Sequence, residues 1–365
     1  MKNVSLLIKP ASGLCDMRCA YCFYADETEH RQEKNKGMMT LKTAEKLIDS
    51  AFSSVEKRGS VTFSFQGGEP TLAGLDFFRS FVEMAQARNP GGVTVQWGLQ
   101  TNGLRLNEEW AAFFAEHRFL IGVSLDGYET NMNDFRYDIQ KKGVYTKVMR
   151  GIDTLEKANV EYNILTVITK NLAKHGKALL EFYHTHKFRY VQLIPCLPPL
   201  DSEQEDDMSL TPELYDTFYL EFFREWKKLV FKGEVISVNL FENLIGMLYG
   251  YPPYQCGMIG KCIPQYVIES NGDVYPCDFY CLDEYRLGNI RSSSFEDLKA
   301  NSEAFLNSSG CTKQPCNTCR FVNMCNGGCR RQNVCYLNDS VCAYQKVLTT
   351  ILPELYELLQ RKKVQ

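Results

Sequence analysis

The stretch Cys15-Asp-Met-Arg-Cys19-Ala-Tyr-Cys22 decides how the rest of the chain is read. It follows a short apolar run, Val4 to Ile8, that predicts a strand. Thiolates at Cys15, Cys19 and Cys22, spaced C-x3-C-x2-C, can all point inward from one tight loop. A cubane iron–sulfur cluster has four irons, so three protein ligands leave one iron open to something else. Zinc is the competing metal, but its structural sites close with a fourth ligand at finger-like spacing. The nearest candidate is His30, in a polar loop, where a solvated side chain is the ordinary reading.

Composition narrows the class. At 365 residues the chain has room for one large domain or two ordinary ones. An apolar fraction of 44% suits a packed globule, and a net charge of −3 gives no basic excess for nucleic acid. Met1-Lys-Asn-Val-Ser-Leu-Leu-Ile-Lys-Pro has too short an apolar core for a secretory signal. The longest apolar runs are strand-sized, so no membrane span is expected. Fifteen cysteines in a chain with no export signal point to metal or redox chemistry in a reducing cytoplasm.

After a polar stretch from Ala25 to Gly37, a helical pattern starts behind Thr40 with Leu41, Ala44, Leu47, Ile48 and Ala51. Strands are expected at Val61 to Phe65, Val93 to Leu99, Phe119 to Ser124, Tyr162 to Ile168 and Tyr190 to Ile194. Helices are expected around Leu75 to Ala87, behind Asn107, at Val148 to Ala158 and at Ala173 to His184. This alternation predicts an α/β fold of parallel βα units closing as a barrel or part of one. Gly67-Gly68-Glu69, Asn102-Gly103 and Ser124-Leu-Asp126-Gly127 all fall just past strand C-termini, the face that carries active sites in barrels. Adjacent glycines let backbone approach a ligand closely.

The cysteine triad, Gly67-Gly-Glu-Pro70 and Ser124-Leu-Asp-Gly127 together resemble a radical S-adenosylmethionine domain. The resemblance implies a partial (β/α)6 TIM-like barrel in which the methionine amino and carboxylate groups bind the open iron. It gives Gly67, Gly68 and Glu69 to the segment around the amino group. Ser124 and Arg136 match cofactor-contacting positions, and Tyr21 and Leu197 match adenosine-contacting ones. A surface salt bridge with Asp134 or Asp138 is the alternative for Arg136, and plain core is the alternative for Leu197.

Asp201 to Asp207 reads as a solvated acidic loop, and Thr211-Pro212-Glu213 as a helix start with a capping hydroxyl. Tyr215, Phe218, Tyr219, Phe222, Phe223 and Trp226 follow at helical spacing and read as core. The expected division is a barrel over 1–200, a helical bridge over 201–254 and a cysteine-rich domain over 255–365. In that last part Tyr266 to Cys277 predicts a hairpin turning at Asn271-Gly272. The density of Cys316, Cys319, Cys325 and Cys329 argues for metal. Two closed clusters and one open one would use eleven of the fifteen thiols.

This half resembles the SPASM extension of radical peptide-modifying enzymes, a small cysteine-rich domain with a β-hairpin and short helices. The whole chain resembles the anaerobic sulfatase-maturating enzymes. The resemblance is carried by Ser5-Leu-Leu-Ile-Lys-Pro-Ala11, Phe65-Gln-Gly-Gly-Glu-Pro-Thr-Leu-Ala-Gly74, Cys256-Gly-Met-Ile-Gly-Lys-Cys262, Val274-Tyr-Pro-Cys-Asp-Phe-Tyr280 and Gly327-Gly-Cys-Arg-Arg331. It implies three 4Fe-4S clusters. The open one is held by Cys15, Cys19 and Cys22, and the first auxiliary one by Cys256, Cys262, Cys277 and Cys329. The second is held by Cys316, Cys319, Cys325 and Cys342. Spacing alone would as easily close Cys329 with its near neighbours, and Cys335 rivals Cys342. Cys196, Cys281 and Cys311 read as spare, small buried hydrophobes.

The implied reaction converts a cysteine or serine of a sulfatase polypeptide, unfolded or nascent, to Cα-formylglycine without oxygen. A 5′-deoxyadenosyl radical takes a hydrogen atom, Asp278 takes a proton, and auxiliary clusters carry the electron away. A low-potential donor such as ferredoxin or flavodoxin would supply the reducing electron. A free carboxylate is a weak base toward a thiol, so burial would have to raise its pKa. The alternatives are another radical modification of a ribosomal peptide, or a non-catalytic iron–sulfur or zinc scaffold.

Overall fold

The apolar run expected as the first strand spans Asn3–Lys9 (β1). The later strands are Met17–Cys19 (β2), Ser60–Phe65 (β3), Thr94–Thr101 (β4), Leu120–Ser124 (β5), Arg136–Asp138 (β6), Tyr162–Ile168 (β7), Tyr190–Pro195 (β8), Ser237–Val238 (β9), Val267–Glu269 (β10), Asp273–Tyr275 (β11) and Gly288–Asn289 (β12). The computed structural model describes residues 1–201, 206–307 and 313–362. The chain forms two compact units that interleave rather than follow the chain order expected at 200 and 254. The first is Met1–Ser124, Asn133–Tyr162 and Ile263–Leu306; the second is Leu125–Met132, Asn163–Cys262 and Asn307–Gln365.

In the first unit β1, β3, β4 and β5 run parallel, with Val4 beside Val61 and Val61 beside Val95. Helices Leu41–Ser54, Leu75–Arg88 and Glu108–His117 occupy the crossovers. Thr40 and Asn107 cap two of them by accepting from Thr43 N and Trp110 N. Alternate residues of β3 face inward, and Phe65 meets Phe78 and Phe81 at ring-centroid distances of 4.9 and 5.1 Å. The strand–helix pattern is legible because this apolar layer sets both periods.

The hairpin expected in a separate cysteine-rich domain joins this same sheet. β10 runs parallel to β1, with Lys9 beside Glu269, and β11 and β12 follow antiparallel. Gly272, at φ +90°, makes the turn. The hairpin covers the β1 side that β3 leaves open, so its strands are buried at every position.

In the second unit β7, β8 and β9 are parallel. With β1, β3, β4 and β5 they include the six strands of the expected partial barrel. β9 comes from the stretch expected as a helical bridge, so that stretch supplies a strand between helices Pro212–Phe231 and Asn239–Leu248. The aromatics of the first helix are buried, as expected. Thr211 occupies the cap position, yet its hydroxyl makes no capping bond; Pro212 at the first helical position leaves one amide fewer to satisfy. Short helices Cys256–Ile259, Gln314–Asn317 and Val322–Cys325 carry cysteines, and helix Ala343–Lys362 closes the unit. Among the described residues no helix is long and apolar enough to cross a membrane.

The polar stretch from Ala25 to Gly37 is not all loop. Phe23–Glu29 is a helix that buries Tyr24, Glu27 and Thr28, and Arg31 is buried behind it. His30 is exposed and makes a 2.8 Å hydrogen bond to the Asp26 carbonyl, as a polar surface residue would.

Candidate functional site

The cysteine loop is held from both ends. β2 pairs antiparallel with β6, placing Cys19 beside Arg136. The buried Arg136 guanidinium donates to Cys19 Sγ at 3.6 Å and lies 5.4 Å from the Tyr21 ring centroid. Met17 N donates to Cys15 Sγ and Ala25 N to Cys22 Sγ, both at 3.4 Å. Asn102 Nδ2 approaches Cys15 Sγ at 3.7 Å and donates to Asp16 at 2.8 Å. Burial pushes the Cys15 thiol up to about 12, so a metal that binds there must displace a firmly held proton.

The Gly-Gly-Glu-Pro turn grips the same loop. Gly68 N donates to Ser12 O at 2.8 Å and Glu69 N to Leu14 O at 2.7 Å. A Cβ on Gly68 would collide with the Leu14 carbonyl, and Gly67 stands at φ +123°. The missing side chain at Gly68 is therefore accounted for by backbone packing on the cysteine loop. Glu69 is fully buried and turned into the fold. Its carboxylate accepts from Thr71 N, Thr71 Oγ1, Thr101 Oγ1 and Asn102 N at 2.6 to 3.0 Å. Burial raises its pKa, and the Asn102 and Thr71 hydrogen bonds oppose the shift. Glu69 thus braces two strand-end turns against each other.

Ser124 is half-buried at the end of β5. In the second unit Asp126 is buried and accepts from Val167 N at 2.9 Å, which makes it a strut of the turn. Leu197, in the same unit, is half-buried two residues past β8.

Asp278 follows the β10–β11 hairpin in the first unit. Its Oδ1 accepts from Lys9 Nζ at 2.6 Å and its Oδ2 from Gln66 Nε2 at 2.9 Å. Lys9 is completely buried, 3.5 Å from the Tyr24 ring centroid. Burial works against its charge, but Asp278 foremost among its acidic neighbours holds its pKa above the ordinary lysine range. A buried cation and an amide thus fix the two carboxylate oxygens of Asp278. Beneath it Tyr24 donates to Glu269, and Arg31 bonds Glu269 at 2.8 Å and the Cys281 carbonyl. Sequence reasoning gave no site role to Lys9, Gln66 or Arg31. The signal present was a lysine ending an apolar strand, a position that ordinarily reads as exposed.

In the second unit a cavity is lined by Cys316, Cys319, Cys325 and Cys342, with Tyr336 and Tyr344 in its wall. Gln345 N donates to Cys342 Sγ at 3.4 Å from the first turn of the long helix. Cys335 does not line that cavity; it is fully buried, its Sγ 3.3 Å from Cys196 O, and burial pushes its thiol up to about 12. Gly257, the residue after Cys256, packs against Cys329: a Cβ there would lie 3.5 Å from Cys329 Cβ. Cys262 belongs to this unit and Cys277 to the first, both half-buried. Cys196 and Cys281 are buried, and Cys311 lies outside the described residues.

The donor chemistry fits iron–sulfur clusters. The described cysteines form no disulfides with one another, and peptide amides are aimed at Cys15, Cys22 and Cys342. Hydrogen bonds to sulfur of this kind tune cluster potentials. Among the described residues no three His, Cys, Asp or Glu side chains converge as ligands of a single ion do. Thiolates bound to different irons of a cubane have no such requirement.

Comparison with known proteins agrees. Residues 10–182 match the model of the Radical SAM superfamily, and residues 262–325 match that of an iron-sulfur cluster-binding domain, SPASM. The chain is 42% identical over 334 residues to a cysteine-type anaerobic sulfatase-maturating enzyme of Clostridium novyi, covering 91% of this chain and 89% of that one. It is 31% identical to a serine-type enzyme of Bacteroides thetaiotaomicron, covering 90% and 83%. A solved structure described as native anSMEcpe with bound AdoMet and Cp18Cys peptide matches with a TM-score of 0.90 at 34% identity, covering 98% of this chain and 99% of that one.

Proposed function

Because the chain belongs to the anaerobic sulfatase-maturating enzymes of the radical S-adenosylmethionine superfamily, we propose that it oxidises a cysteine of a sulfatase polypeptide to formylglycine without oxygen. Of the two relatives compared by sequence, the cysteine-type one is the more similar, at 42% against 31% identity. Cys15, Cys19 and Cys22 hold the cluster with the open iron. Gly67 and Gly68 present backbone to the methionine amino group, and Ser124 and Arg136 face its carboxylate. Glu69 braces that turn, and Tyr21 and Leu197 flank the adenosine. Cys256, Cys262, Cys277 and Cys329 hold one auxiliary cluster; Cys316, Cys319, Cys325 and Cys342 hold the other. When bound, the clusters and S-adenosylmethionine supply the 5′-deoxyadenosyl radical that removes a hydrogen atom from the substrate β-carbon, and the acceptor for the electron left behind.

The chain's own contribution is the proton. Asp278 accepts it from the substrate thiol, leaving a thioaldehyde that water hydrolyses to the aldehyde. Lys9 and Gln66 hold the carboxylate at 2.6 and 2.9 Å, so both oxygens are oriented before substrate arrives. That buried, cation-held carboxylate is the observation that carries the reading. A cytoplasmic location, a flexible peptide substrate and a ferredoxin- or flavodoxin-like donor complete it.

The test uses anaerobically reconstituted protein, a reductant, S-adenosylmethionine and a peptide containing Cys-x-Pro-x-Arg. Mass spectrometry that finds the aldehyde together with 5′-deoxyadenosine supports the maturase. Deoxyadenosine without aldehyde redirects the reading to another peptide modification. Neither product, from protein with full clusters, leaves a binding scaffold.

A further inference from the structure

Only Asn326-Gly327-Gly328 separates Cys325, assigned above to the second auxiliary cluster, from Cys329, assigned to the first. Resting on that assignment, we propose that Tyr336 is a positioning residue shared by both auxiliary clusters, its hydroxyl fixing the turn between their ligands and tuning their potentials.

Three contacts carry the inference. Gly328 stands at φ +75°, and the Tyr336 hydroxyl occupies the place its Cβ would take. That place is also 3.3 Å from the carbonyl of Gly257, the residue after Cys256. The hydroxyl therefore sits where the Cys256 and Cys329 turns meet. Tyr336 also lines the cavity of Cys316, Cys319, Cys325 and Cys342. Finally, Tyr336 O accepts from Ala343 N at 2.7 Å, pinning the residue next to Cys342.

The ring has little freedom to leave. Tyr336 is buried, with ring centroids of Tyr215 and Tyr344 at 5.1 and 5.6 Å. The hydroxyl is thereby confined to the turn that separates the two sets of ligands. Dipoles and backbone positions around cluster ligands tune the potential. Deleting the hydroxyl should therefore shift the auxiliary potentials.

The test is Tyr336→Phe, which keeps the ring, in full-length protein reconstituted with iron and sulfide. Iron content is measured first, then midpoint potentials by redox titration followed by electron paramagnetic resonance. The expected result is wild-type iron content, an unchanged signal from the Cys15 loop cluster, shifted auxiliary potentials, and several-fold less formylglycine per deoxyadenosine. A merely structural role would lower iron content or unfolding temperature and leave the potentials of loaded clusters in place. Should Tyr336→Phe fail to load, Gly328→Ala, which displaces the hydroxyl while keeping it in the chain, is expected to shift the same potentials. Unchanged auxiliary potentials in fully loaded variants overturn the inference alone. Wild-type protein that binds iron for one cluster only overturns the ligand assignment beneath it.

Discussion

Asp278 and Lys9 show how a single pairing changes a catalytic argument. A solvated aspartate is a weak base toward a thiol, so burial would have to raise its pKa. The structure adds a buried ammonium at 2.6 Å that fixes the carboxylate in place before substrate arrives. Asp278→Asn keeps the shape and removes the base. Formylglycine should fall by about 10²- to 10⁴-fold while deoxyadenosine formation continues, measured by mass spectrometry and chromatography. Lys9→Met leaves the carboxylate beside a buried void of charge, with an expected stability loss of roughly 3–5 kcal/mol in denaturant titration. Asp278 was legible through the motif that holds Cys277. Lys9 was not, because nothing local distinguishes a buried lysine from one that ends a strand in water.

At the scale of elements, the Gly-Gly-Glu-Pro turn and the Phe23–Glu29 helix are where local reading fell short. The glycines were marked for room beside a ligand, and Gly68 proves to be needed by the Leu14 carbonyl. Gly68→Ala should therefore cost the first cluster its iron, while iron attributable to the auxiliary sites stays; iron analysis with Mössbauer spectroscopy separates the two. The helix was hidden by its polar composition, since Glu27 and Arg31 look like surface residues until Glu269 arrives from a distant strand. The loop after that helix is fastened by Lys36 to Asp273 at 2.8 Å, both side chains buried. Burial opposes the Asp273 charge, but Lys36, Asn289 and Asn271 together hold its pKa below the ordinary aspartate value. A depressed acid adds stability above its unfolded pKa and loses it as pH falls through the folded one. Wild type should therefore lose stability in strong acid more steeply than Asp273→Asn, as followed by circular dichroism at graded pH.

For the whole molecule, cysteine spacing located the metal-binding segments without saying which thiols meet. Family resemblance favoured Cys342 with Cys335 as its rival; the structure buries Cys335 against Cys196 O and lines a cavity with Cys342. Cys342→Ala is expected to remove one auxiliary cluster and Cys335→Ala to keep all three, read as iron per protein. Chelating the iron should also lower the unfolding temperature, because Cys316 and Cys325 are buried and their thiols would be left without the bonds that organise them. The hairpin's destination was beyond sequence reach altogether: Lys9 and Glu269 are neighbours in register, but 259 other residues lie between them in the chain.

That register has a consequence for how such a protein can be divided. β10 runs along β1, so a chain ending before residue 262 would present β1 to solvent as a bare row of amide and carbonyl groups. Open strand edges of this kind recruit strands from other molecules. Cutting the hairpin away from the barrel's first strand is hence expected to cost the remaining chain its solubility.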